Sequence, residues 1–127
     1  MNDPTKQLFD RLGGEVGMLA IVNDMYDRIL ADEELKGFFE TTDVQRLRRM
    51  QYHFLAAAFG GPVAYSGAEL TRIHAGRGIG SHHFNRFCNH FVTALEAASI
   101  DSHDIDMALV QIAMFRDKIT GAANVDG

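Results

Sequence analysis

The chain has 127 residues, 46% of them hydrophobic, which is enough for one domain around one core and too few for two. A formal net charge of -5 argues against a nucleic-acid partner, and no apolar run reaches the ~18 residues of a membrane span. The single cysteine, Cys88, excludes an internal disulfide and a cysteine-built metal knuckle. Met1 to Gln7 is polar and lacks the apolar stretch of a signal peptide, so a reducing cytoplasm is the expected compartment.

Helical periodicity dominates, and no strand signal, repeat or low-complexity tract interrupts it. Leu8, Phe9 and Leu12 form a short first segment that stops at Gly13-Gly14. Met18, Leu19, Val22, Met25, Tyr26 and Ile29 step by three and four, which predicts an amphipathic helix over about residues 15–30. Lys36 to Thr41 is a short connection carrying Phe38 and Phe39. Thr42-Asp43-Val44-Gln45 reads as a capping box, and the helix it starts is striped by Val44, Leu47, Gln51, Phe54, Leu55 and Ala58. Gly60-Gly61-Pro62 ends that helix. Ser66 and Glu69 form a second capping box, for a short helix ending just past His74. A loop with Gly76, Gly78 and Gly80 follows, and Ser81 is the expected cap of a long helix striped by Phe84, Phe87, Cys88, Phe91 and Leu95. Asp101 or Ser102 caps a last helix with Ile105, Leu109, Ile112 and Ile119 on its stripe. One all-α domain over residues 1–127 is expected, with 121–127 as a fraying tail.

Three polar residues fall where apolar ones belong. His74 stands beside the apolar face of its own turn, which makes it a packed core histidine, a catalytic base or a metal ligand. Tyr26 and Gln51 interrupt the stripes of two other helices. A buried phenol or amide without a partner costs ~1–3 kcal/mol, so each needs one inside the core. Such residues bond to the backbone, to each other, or to a polar ligand shared in an apolar pocket. The segment Gly76-Arg77-Gly78-Ile79-Gly80 lacks the spacing and the preceding strand of a dinucleotide loop. His82, His83 and His90 lack a carboxylate or cysteine to complete a zinc set, and read as solvated or packed. His53 and the arginines 46, 48 and 49 read as a solvated face.

Taken together, Leu12-Gly13-Gly14, Met25 to Leu30, Phe38-Phe39, Leu55 to Pro62 and His74 to Ile79 followed by His83-Phe84 resemble a group I truncated haemoglobin. The resemblance runs from about Leu8 to Ile119. It implies a two-over-two helical sandwich around one non-covalent haem b. His74 would then be the proximal iron ligand and the one metal-binding residue. Phe39 matches the aromatic packed on the haem face, and Tyr26 and Gln51 match the distal donors to the gas ligand. Leu47 stands where other globins carry the distal histidine. Thr42, Tyr65 and Arg77 match positions near the propionates, and Ile79, Phe84 and Ile112 match proximal and lateral haem contacts.

Departures from the family pattern sharpen the expectation. Where some relatives carry a second iron-binding histidine, this chain has Met50. Where some attach haem covalently through a histidine of the last helix, this chain has only His103, at that helix's start. The implied function is reversible binding or transport of dioxygen, with carbon monoxide and nitric oxide as further gas ligands, by a monomer. The alternative is nitric oxide dioxygenation, turned over by an external reductase.

Overall fold

The computed structural model describes residues 7–62 and 80–114. Five α-helices and one short 3-10 turn make up the described residues, and no strand occurs among them. They are α1 (Leu8–Arg11), α2 (Gly14–Leu30), the 3-10 turn (Lys36–Phe39), α3 (Val44–Ala58), α4 (Ser81–Ala97) and α5 (Ser102–Ala113). None of the described helices is long and apolar enough to cross a membrane.

Glycines separate α1 from α2. Gly13 has φ 109°, and a Cβ there would lie 2.8 Å from the Gly17 Cα, so only glycine lets the two helices meet this closely. The α2 helix then buries Met18, Ile21, Val22, Met25, Tyr26 and Ile29. Ile21 takes the stripe position expected of Leu19, which stays 38% exposed.

Asp43 caps α3. Its carboxylate accepts the Arg46 N–H at 3.2 Å, so the cap lies one residue later than the Thr42 capping box suggested. The far end closes as a Schellman motif. Gly61 N–H donates to Ala56 O at 2.7 Å and Gly60 N–H to Ala57 O at 3.2 Å, with Gly60 at φ 85°. Phe9 N–H donates to Phe59 O at 2.9 Å and docks α1 on this corner.

Gly80, not Ser81, occupies the cap position of α4, and its N–H donates to His83 Nδ1 at 3.2 Å. The end of α4 repeats the Schellman geometry. Ile100 N–H reaches Leu95 O at 3.1 Å and Ser99 N–H reaches Glu96 O at 3.0 Å. Here the left-handed residue is Ser99, at φ 60°.

Asp101 occupies the cap position of α5, which buries Asp104, Ile105, Ala108 and Ile112. Arg11 Nε donates to Asp104 Oδ1 at 3.0 Å, and Arg11 Nη2 reaches Met107 Sδ at 3.4 Å, so α1 is fastened to α5.

The helices pack as two pairs, α2 with α3 and α4 with α5, and α2 presses on α4 between them. One continuous core runs through both pairs. Phe59 and Phe91 stack across it, centroids 6.1 Å apart and planes 6° from parallel.

Candidate functional site

An aromatic wall forms where α2, the 3-10 turn and α4 meet. Tyr26 is 3% exposed on α2, and its ring meets that of Phe39 edge to face, centroids 6.0 Å apart. Phe39 meets Phe87 of α4 in the same way at 6.3 Å, and Phe38 at 6.5 Å. Phe38 in turn touches the His83 ring at 4.9 Å. Edge-to-face contacts of this kind add to what burial alone contributes. Phe38, Phe39 and Phe87 are packed on the core yet only half-buried. An apolar face therefore remains beside a deeply buried phenol.

Leu47 is buried on α3, and Gln51 is half-buried one turn further along the same helix. Thr42 is half-buried, and its N–H donates to Phe39 O at 3.2 Å. Phe84 is buried on α4 and Ile112 on α5. The fold brings the rings of Tyr26 and Phe39 into contact. Tyr65, His74, Arg77 and Ile79 lie outside the described residues.

Two features of this region escape the sequence reading. The first is Arg48, which is not simply solvated. It donates to Asn23 O at 3.0 Å, to Asn23 Oδ1 at 3.2 Å and to Asp27 Oδ1 at 2.9 Å. Its guanidinium lies 6.0 Å from the centre of the Tyr26 ring, at the outer reach of a cation–π contact, and its Nε is buried without an acceptor.

The second is a polar cluster around Asp32, whose side chain is 3% exposed. Arg86 grips it with two nitrogens, Nη2 to Oδ1 at 2.8 Å and Nε to Oδ2 at 3.0 Å. His90 Nε2 lies 2.7 Å from Oδ2, and Glu34 N–H donates to Oδ1 at 2.9 Å. The Arg86 guanidinium, then the His90 ring, hold the Asp32 carboxyl well below the usual carboxylate range, against the opposing effect of burial. Arg86 Nη1 also reaches Glu34 Oε2 at 2.8 Å, and His82 Nε2 lies 3.4 Å from the same oxygen. His90 is thus packed and hydrogen-bonded, and His53 is solvent-exposed, as their positions in the sequence implied. No group of His, Cys, Asp and Glu among the described residues could hold a metal ion.

The sequence pattern of the bacterial-like globins matches residues 7–121. A group 1 truncated haemoglobin of Mycolicibacterium paratuberculosis is 43% identical over 117 residues, covering 91% of this chain and 86% of that protein. The truncated haemoglobin of Tetrahymena pyriformis, solved in its Fe(III) form, superposes with a TM-score of 0.84 at 31% identity. The match covers 90% of this chain and 97% of that one. A Synechococcus 2/2 haemoglobin with covalently attached haem shares the fold at a TM-score of 0.84 and 24% identity, over 91% of this chain and 99% of that one.

The chain belongs to the bacterial-like globins, as a group 1 truncated haemoglobin. Membership implies a haem cofactor and a small gas ligand. The described residues fit such a group. Half-buried phenyl rings suit the face of a flat apolar macrocycle, and a buried phenol beside them suits a polar diatomic ligand.

Proposed function

We propose that this protein binds haem b non-covalently through His74 and reversibly takes up dioxygen and other diatomic gases in a pocket bounded by Tyr26, Gln51, Leu47 and Phe39. The observation that carries the reading is the burial of the Tyr26 phenol against the Phe39 ring, in the wall from which a macrocycle would be approached. When bound, the haem supplies an iron that takes the gas. The protein supplies the rest. Leu47 and Phe39 exclude water, and the Tyr26 hydroxyl donates to a ligand carrying partial negative charge. Gln51 orients that hydroxyl and can donate as well. Thr42, Tyr65 and Arg77 are proposed to meet the propionates, and Ile79, Phe84 and Ile112 the remaining edges. His103 is solvent-exposed in the first turn of α5, which supports a free haem over a covalent one.

Optical spectra of the oxidised, reduced and carbon monoxide forms test this, on the wild type and on His74→Ala. A haem spectrum in the wild type, disturbed in His74→Ala and partly restored by imidazole, is the expected result. An unchanged carbonyl spectrum in His74→Ala overturns the proximal assignment. Sustained nitrate formation from nitric oxide with a reductase would assign the pocket to dioxygenation in place of carriage.

A further inference from the structure

Two rows of side chains run along one face of α4, each stepping by four. His82, Arg86 and His90 form a polar row, and His83 and Phe87 begin an aromatic one. The polar row holds Glu34 and Asp32, and the aromatic row holds Phe38 and Phe39. All four partners belong to one stretch of chain, the turn that leaves α2 and carries Phe39 to Tyr26.

Asp32 is the start of that stretch. Its backbone carbonyl accepts from Leu35 N–H at 3.0 Å and Lys36 N–H at 2.9 Å, and its carboxylate accepts from Glu34 N–H. An ionised carboxylate has about four acceptor positions. Arg86 takes two of them, His90 one and the Glu34 amide one. Because the carboxylate can only accept, the proton on His90 Nε2 must point at Asp32. Arg86 also faces the Glu34 carboxylate, so one guanidinium ties both acidic residues of the turn to α4.

We propose that Asp32 is a positioning residue for the gas pocket: through Arg86 and His90 it fixes the turn that holds Phe39 against Tyr26. The inference rests on the reading of Tyr26 and Phe39 as the distal wall. The groups facing His90 among the described residues are Asp32 from the turn and Arg86 from its own helix, with Glu34 and His82 behind them. Lys36 pairs with Glu33 on the exposed side of the same turn.

Hydrogen exchange of the Leu35–Phe39 amides in the haem-loaded protein tests the clamp, read as protection relative to the free peptide. Dioxygen release is measured on the same samples. Asp32→Asn should lower protection by roughly tenfold or more, as expected for a lost hydrogen bond between charged groups. His90→Gln keeps a donor to the carboxylate, so the turn should stay protected. Arg86→Lys, which loses the two-pronged grip and keeps the charge, should resemble Asp32→Asn. Wild-type protection in Asp32→Asn, or in Arg86→Lys, overturns the clamp. Lost protection with wild-type dioxygen release overturns instead the assignment of Phe39 to the gas pocket.

Discussion

Tyr26 and Phe39 meet edge to face, ring centroids 6.0 Å apart and planes at 81°. Tyr26→Phe keeps the ring that makes this contact and removes the hydroxyl. A hydrogen bond to a charged acceptor is worth ~1.5–3 kcal/mol, so dioxygen release should quicken roughly ten- to a hundredfold. Carbon monoxide, which carries little charge when bound, should change far less. Combining Tyr26→Phe with Gln51→Leu should cost less than the sum of the two, because both donors serve one acceptor. Stopped-flow release rates of the four proteins decide it. Equal effects on both gases would mean that Tyr26 only shapes the pocket.

Acid should expose the contribution of Asp32. Its carboxyl, ordinarily titrating at 3.8, is held well below that value by Arg86 first and His90 second. A group depressed on folding adds stability that is fully present above its ordinary value and is lost as pH falls toward the folded one. The melting temperatures of wild type and Asp32→Asn should thus differ most above about pH 5 and converge progressively only as the pH falls from about 4 toward about 2. A difference that stays constant down to about pH 2 would mean that the carboxylate charge contributes nothing.

Arg11 and Asp104 form an ion pair with side chains 10% and 1% exposed. Asp104→Ala removes the carboxylate that faces the largely buried Arg11 side chain, a change that costs up to about 3–5 kcal/mol. Replacing both residues, as Arg11→Met with Asp104→Leu, should recover most of that loss. Denaturant unfolding of the three variants measures it, and a double variant as weak as the single would show that the pair itself is the source of stability.

Ser99 sits at φ 60°, where a Cβ is strained, while the matching residue at the end of α3 is Gly60. Ser99→Gly should relieve that strain and stabilise the fold by about 0.5–1 kcal/mol after the entropy cost of glycine. A lower melting temperature in Ser99→Gly would show that the Ser99 side chain contributes more than the strain costs.

The helices were legible because their cores repeat by three and four, and Tyr26 and Gln51 stood out because they interrupt those repeats. Details set by neighbours were harder to read. Ile21 and Leu19 lie at similar angles to the stripe, and only the packing of α4 and α3 on α2 selects Ile21. Thr42 satisfied a local capping pattern, yet the backbone puts Asp43 in the extended conformation of the cap, and its carboxylate makes the bond. Asp32 gave no signal at all. An acidic residue in a connection reads as solvated, and its partners Arg86 and His90 lie 54 and 58 residues away. Their spacing of four on α4 was visible, but nothing local says which loop it grips.

The bond between Arg11 and Asp104 spans 93 residues of a chain of 127. During synthesis the first helix leaves the ribosome long before its counter-charge exists. α1 can already settle on the α3 corner through Phe9 and Phe59, but its tie to α5 forms only once Asp104 has emerged, and a contact of such long range slows folding more than a local one.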